Sequence, residues 1–371
     1  MPLELPDFPW DSLLPYRERA AAHSDGIVDL AIGSPVDPTP TVIQDALAAA
    51  ANAPGYPQTA GSPALRQAIV DWFARRHGVT VAVANTMPTV GSKELIALMP
   101  TLLGLGPGDV VVQPRLAYPT YAAGALAVGA TVLSSDEPDE WPESTRLVWL
   151  NSPGNPDGRV LEVEFMKRAV RRARDLGSVI ANDECYTELS WADDGGKGDE
   201  PTPTILDPRV IGDSRRLTLS VNSLSKSSNL AGYRAGFAAG CSDLVDELLL
   251  ARKHLGLNPP APVQAAMVAA LNDDEHVAVQ RERYRARRGT LLAALTAAGF
   301  RVDESRAGLY LWATRGEDAW ASVAVLADHG ILVTPGTFYG AAGAQHVRVA
   351  LTASDEVVAV AARRLEQLSN D

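Results

Sequence analysis

Only two cysteines occur in 371 residues, Cys185 and Cys241, far apart and without a C-x-x-C spacing. That excludes a disulfide framework and a thiolate zinc site, and it fits a reducing compartment. Missing too is any apolar run of the roughly 18 residues that a membrane helix needs. The opening, MPLELPDFPWDSLLPYRERA, has no basic stretch followed by an apolar core, so no leader is expected and the cytoplasm is the expected location. Positive charge is scarce: 33 Lys and Arg stand against 45 Asp and Glu, for a net charge of -12. Such a surface repels nucleic acid and anionic membrane, and neither partner is expected. The six histidines form no H-E-x-x-H or other ligand spacing, so no metal site is expected.

What is present is ordinary for a soluble globular chain, 46% hydrophobic and 21% charged, and long enough for about two domains. After an irregular, proline-rich start, helix-like and strand-like segments alternate from about Thr41. SPALRQAIVDWFARRHG begins a helix with Ser62 as cap and Pro63 at the first helical position. Beyond Gly91 the helical SKELIALMPTLLGL, PTYAAGALAVG and VEFMKRAVRRARDLG are interleaved with short apolar DVVVQP, TVLSS, RLVWLN, SVIAND and RLTLSVN. This pattern predicts an α/β fold, a mostly parallel sheet with helices on both faces.

The adjacent prolines in KHLGLNPPAPVQAAM break the helical pattern. A long helix through HVAVQRERYRARRGTLLAALTAAG follows, then strands near GLYLWAT and HVRVALT and a terminal helix. The expected division is a large domain over 41–255, with 1–40 and 256–371 forming an N-terminal arm and a smaller α+β domain. The acidic, glycine-rich 192–204 reads as a surface loop.

One lysine carries the chemical question. SLSKSSNLAGYRAGF, Ser223 to Phe237, surrounds Lys226 with small and hydroxylated residues and sets Arg234 eight positions further on. A lysine among such neighbours needs a partner or a chemical use. Ser223-x-x-Lys226 formally matches a serine acyl-transferase motif, but the S-D-N and K-T-G that should follow are absent. DDGGKGDE fails as a phosphate loop, since no Ser or Thr follows Lys197. The remaining use is a Schiff base with a carbonyl, as with pyridoxal phosphate (PLP), where burial favours the neutral, nucleophilic amine.

PLP makes demands that other segments meet. TVGSKEL places Gly91, Ser92 and Lys93 where a strand turns into a helix, so backbone N–H groups and the helix dipole can face a phosphate. Ser223 adds a hydroxyl and Arg234 a forked guanidinium. Asp183, ending the strand in VIANDECY, suits the pyridine nitrogen; Tyr186 and Asn155 can bond the phenolic oxygen; Tyr118 can stack on the ring. Taken singly these are a turn, a cap and a packed aromatic. Their joint order within one α/β half is what separate accidents do not supply.

With these motifs in hand, the chain resembles the fold-type I PLP enzymes, and within them the class I/II aminotransferases. YPQTAGSPALRQAI, GSKE, NPDG, NDECY, SLSKSSNLAGYRAGF and HVRVAL follow that family's order along nearly the whole chain. The resemblance implies that Lys226 carries the cofactor, Asp183 pairs its pyridine nitrogen, and Asn155 and Tyr186 hold its phenolic oxygen. Gly91, Ser92, Lys93, Ser223 and Arg234 would hold the phosphate and Tyr118 would stack on the ring. Arg348 would clamp the substrate α-carboxylate, with Gly33 and Asn155 on the substrate side, although HVRVAL also reads as a plain alternating strand. Tyr56 would reach the cofactor of a neighbouring subunit, which implies a homodimer with shared active sites.

One departure is Asp157, where the family usually has Thr. LPDFPWDSL, IGSPVDPTP and GLYLWATRGE are similar to the N-succinyldiaminopimelate aminotransferases. That implies amino transfer between N-succinyl-L,L-2,6-diaminopimelate and 2-oxoglutarate, giving N-succinyl-2-amino-6-oxopimelate and glutamate, in diaminopimelate and lysine biosynthesis. Other specificities (aspartate, alanine, aromatic, unacylated diaminopimelate) and a C–S lyase share the scaffold. A PLP-sensing regulator would need a basic DNA-binding module, and about 40 non-basic residues precede the first core helix.

Overall fold

Seven short strands form the central sheet: β1 (Thr86–Val90), β2 (Val110–Gln113), β3 (Thr131–Ser134), β4 (Thr145–Asn151), β5 (Val179–Asp183), β6 (Thr218–Ser223) and β7 (Ala235–Gly240). The computed structural model describes residues 5–191 and 202–368. All but Thr202–Thr204 of the loop expected at 192–204 therefore lies outside the described residues. The strand order is β1-β7-β6-β5-β4-β2-β3, and every neighbouring pair is parallel except the two that β7 makes. Every residue of β5, β6 and β7 is buried. That is why these strands do not alternate apolar with polar, although β5 and β6 bury Asn182, Asp183 and Asn222.

Helices cover both faces. On one, Trp72 and Phe73 pack with Val170, Ile180 and Phe237; on the other, Leu95, Tyr121 and Trp149 pack with Leu219 and Leu244. Ser62 caps the helix Pro63–Trp72 by accepting from Leu65 N at 3.2 Å, as its sequence predicts. The sequence reading does not mark β7, because AGFAAG has low strand propensity. Its small residues answer to close packing instead. A Cβ on Gly240 would lie 2.1 Å from the Thr218 carbonyl, and one on Gly236 would lie 2.6 Å from Thr89 Oγ1.

The smaller sheet is antiparallel: β8 (Arg301–Asp303), β9 (Tyr310–Thr314), β10 (Thr334–Pro335) and β11 (Val347–Ala350), in the order β10-β11-β9-β8. Its core also takes in Leu13, Val28 and Leu30 from the start of the chain. Val28–Asp29 pairs in parallel with Ile331–Leu332. The sequence reading closes the large domain at residue 255. The helix beyond that point, Ala261–Asn272, nevertheless packs Ala266, Met267 and Leu271 into the core that holds Ile43 and Leu65.

The turn from β1 into the helix Ser92–Leu102 is held from beneath. Glu94 accepts from Val90 N at 3.0 Å and from the fully buried Arg252 Nη1 at 2.6 Å. Removing one partner of a buried pair leaves the other charge unsatisfied, so Glu94→Ala should cost about 3–5 kcal/mol. The measurement is the urea midpoint at unchanged m-value. An unshifted midpoint would mean that Arg252 is held without Glu94.

Candidate active site

The topology gathers the predicted residues along one edge of the sheet. Gly91 follows β1, Tyr118 lies beyond β2, Asn155 follows β4, Asp183 ends β5, and Ser223 ends β6 just before Lys226. Arg234 precedes β7, the strand that runs the other way, so its N-terminal end lies at the same edge. Open α/β sheets bind ligands at this edge.

Asp183 is fully buried and makes no ion pair among the described residues. It accepts from Tyr121 Oη at 2.9 Å and from Cys185 N at 3.3 Å. Burial raises its pKa, and those two hydrogen bonds only partly oppose the rise. Tyr121 is itself stacked on Trp149, ring centroids 5.2 Å apart. The adjacent Glu184 is caged by Ile205 N (2.6 Å), Ser220 Oγ (2.6 Å), Thr204 Oγ1 (2.8 Å) and Asn182 Nδ2 (2.9 Å). Burial pushes its carboxyl up to about 7. The cage ties the end of β5 to its surroundings.

Lys226 is partly buried, and its Nζ donates to the carbonyl of Gly33. Gly33 is required there for its bareness, since a Cβ would lie 2.2 Å from Tyr310 Oη. Tyr310 Oη in turn pairs with Tyr186 Oη at 3.2 Å. Ser223 is buried and donates from Oγ to Ser225 Oγ at 2.9 Å.

Arg348, on β11, is buried, which disposes of the plain-strand alternative in which it points into water. Its Nη1 donates to Asn155 Oδ1 at 3.0 Å and its Nη2 to the Ala31 carbonyl at 2.7 Å. The guanidinium lies 4.0 Å from the centroid of the Tyr310 ring. Asn155 is held from the other side: Asn151 Oδ1 accepts from Asn155 N at 2.8 Å, while Asn151 Nδ2 donates to the Asp183 carbonyl at 2.9 Å. Asn155 thus links the small-domain arginine to the strand end bearing Asp183. At the departure from the family pattern, Asp157 Oδ1 accepts from Arg159 N at 3.1 Å, and Gly158 takes a φ of 71°. The Asp side chain closes that turn.

Gly91 has φ 72°, and a Cβ there would lie 2.5 Å from Arg234 Nη2. The Arg234 guanidinium therefore lies directly over the turn that starts the helix. Arg234 is exposed and makes no ion pair among the described residues. The Lys93 ammonium lies between two rings, 5.8 Å from Phe8 and 5.9 Å from Tyr118, while its backbone sits in the first helical turn. Tyr118 meets Tyr121 edge-on at 5.9 Å. Tyr56 is fully exposed and far from burial by its own chain.

The family model for aminotransferase class I and II matches residues 25–365. The chain belongs to the class I and II aminotransferases. It is 57% identical to the 4-dedimethylamino-4-oxo-anhydrotetracycline transaminase OxyQ of Streptomyces rimosus, over 98% of this chain and 99% of that one. It is 56% identical to the aminotransferase Rv1178 of Mycobacterium tuberculosis, over 97% and 85%. Among solved structures, an aminotransferase from Neisseria meningitidis superimposes with a TM-score of 0.88 at 31% identity, covering 99% of this chain and 98% of that one.

Aminotransferases of this class depend on PLP, and the donor set here fits it. A buried carboxylate with no cationic partner among the described residues suits a protonated ring nitrogen. A glycine turn at a helix N-terminus, overlain by a guanidinium, suits a phosphate. Three residues of this network escaped the sequence reading: Tyr121, Asn151 and Tyr310. Tyr121 sits three positions after Tyr118 at a helix start, the one spacing that could have marked it; Asn151 and Tyr310 act through contacts made across the fold.

Two outcomes follow from this geometry. Gly91→Ala combines a left-handed backbone with a clash against Arg234, so PLP affinity should fall ~10-fold or more, read by equilibrium dialysis. Wild-type affinity in that variant would detach the turn from the phosphate. Glu184, raised from 4.5 to about 7, contributes stability below pH 4.5 that is lost as pH rises to about 7. In urea melts, the wild type should therefore lose stability relative to Glu184→Gln across that window and level off above it. A constant difference would place Glu184 in its ionised form throughout.

Proposed function

We propose that this aminotransferase acts on N-succinyl-L,L-2,6-diaminopimelate with 2-oxoglutarate as amino acceptor, working as a homodimer with shared active sites. The observation that carries the amino-transfer reading is the Asn155 bridge, which holds Arg348 of the small domain beside the strand end of Asp183. The narrower substrate rests on the likeness of LPDFPWDSL, IGSPVDPTP and GLYLWATRGE to the N-succinyldiaminopimelate enzymes.

PLP, when bound, supplies an electron sink for the carbanion at the substrate α-carbon. In this proposal Lys226 Nζ is the tether for the cofactor and, once free, the base that takes the α-proton. Asp183 keeps a proton on the ring nitrogen; its buried setting, free of other cations among the described residues, supports that role. Arg348 orients the substrate by its α-carboxylate, with the fork geometry suited to a planar anion. Asn155 and Tyr186 hold the phenolic oxygen, and Tyr118 covers the ring. Gly91, Ser92, Lys93, Ser223 and Arg234 hold the phosphate, Lys93 through its backbone N–H, since its ammonium rests on aromatic rings. The full exposure of Tyr56 supports a part played in the second subunit's site.

A second reading has a specific observation behind it. The 57% identity with OxyQ favours amination of a polycyclic ketone such as 4-dedimethylamino-4-oxo-anhydrotetracycline. A panel of donors and acceptors, scored by conversion of the cofactor to its amine form, separates the two. N-Succinyldiaminopimelate should outrank aspartate and alanine; equal ranking defeats the narrower reading, and preference for the polycyclic ketone selects the other. Lys226→Ala should lose the borohydride-trapped link to PLP, and a trapped link in that variant would put the tether elsewhere.

A further inference from the structure

The carbonyl that receives Lys226 Nζ belongs to a segment that burial does not hold. Around Gly33, Ile32 is 50% exposed and Val36 is 58% exposed. Upstream the segment is held at Ala31 and Ile32, whose carbonyls accept from Arg348, Thr334 and Thr352; its downstream anchor is polar and sits four residues beyond Gly33. Asp37 accepts from Arg287 at both oxygens, 2.7 and 2.8 Å, and from Gln280 Nε2 at 2.7 Å. Burial pushes the Asp37 carboxyl up, but the bonds from Arg287 and Gln280 outweigh it and hold it below its ordinary value. Pro35 and Pro38 flank this anchor and fix φ on either side of it. Pro35 leaves fewer free torsions between Asp37 and Gly33 to absorb a displacement at the anchor.

The same helix face grips the other side of the contact. On Asp274–Ala297, residues 276, 280, 284 and 287 follow helical spacing and form one stripe. His276 Nε2 meets Ser228 Oγ at 2.8 Å. Gln280 Oε1 accepts from Asn229 Nδ2 at 3.0 Å, and Tyr284 Oη donates to the Lys226 carbonyl at 3.4 Å. Gln280 touches both segments, Asp37 with its amide nitrogen and Asn229 with its oxygen. Asn229 has φ 56°, a left-handed conformation that Asn adopts more readily than most residues.

We propose that this stripe positions the reaction: Gln280 and Arg287 set the Gly33 carbonyl and the Lys226 amine in one register, with Asp37 as the shared anchor. The inference rests on the reading of Lys226 as the base. These are positioning residues, acting through Gly33 and the lysine turn without touching substrate. The stripe leaves the lysine two firm neighbours, its own turn and the strap, so that the free amine returns to one place after each proton transfer.

The test uses the PLP-loaded enzyme with Asp37→Asn, which keeps the shape and an acceptor but removes the charge, and with Gln280→Met, which removes both amide contacts. Three readouts are taken: backbone hydrogen exchange over residues 31–38, kcat against KM for the amino donor, and the isotope effect with α-deuterated donor. Expected are faster exchange in that segment, kcat lower by ~10-fold or more with a smaller change in KM, and a larger isotope effect, since misplacement of the base slows proton transfer above all. Arg287→Lys, which keeps charge without the fork, should fall in between. Faster exchange with unchanged kcat and isotope effect would reduce the stripe to scaffolding, and unchanged exchange would show that the strap is held elsewhere. If Asp37→Asn does not fold, Gln280→Met gives the same readouts. Borohydride trapping in every variant keeps the two readings apart: loss of the trapped link in wild type would defeat the assignment of Lys226, whereas its retention with altered isotope effects supports the stripe.

Discussion

A carboxylate buried at the end of β5, without a countercharge among the described residues, is the constraint on which the rest of this molecule depends. Desolvation makes such a group costly unless its lone pairs are met and its charge is wanted. Tyr121 and Cys185 N meet part of the need. Around it the polar network runs outward: Asn151 to the Asp183 carbonyl, Asn155 to Asn151, Arg348 to Asn155. Each link is buried, so each fixes the next. A guanidinium from the second sheet is thereby placed with the accuracy of a core residue.

Much of this was legible in the chain. The parallel strands stand out because strands buried on both faces must be short apolar runs, and the residues at their carboxyl ends are where polar side chains accumulate. SLSKSSNLAGYRAGF was informative because a lysine among small residues is anomalous without a use. β7 was not legible, since Ala and Gly carry no strand signal and its form answers to the space between β1 and β6. Nor was the placement of Ala261–Asn272 beside Ile43 and Leu65, because the prolines before it mark a break in helix, not a break in core. Tyr310 meets Tyr186, and Gln280 meets Asp37, across more than a hundred residues of chain. Local spacing holds no record of such pairings.

The two halves contribute different groups to the site. The large sheet provides fixed groups on strand ends, and the smaller half provides Arg348, Tyr310 and the long helix that braces the lysine turn. The N-terminal segment belongs by contact to the smaller half, yet its Gly33 carbonyl reaches the lysine of the larger. The site is therefore assembled from both ends of the chain and its middle.

That parallel pairing of Val28–Asp29 with Ile331–Leu332 has a consequence for how the chain acquires its shape. The first strand residues leave the ribosome about 300 residues before their partners, and contacts of such high sequence separation form late. All seven strands of the large sheet, by contrast, are available once residue 240 has emerged. The order of synthesis thus favours the large sheet first, with the N-terminal segment and the Gly33 carbonyl that meets Lys226 fixed in place last, once the C-terminal half has closed.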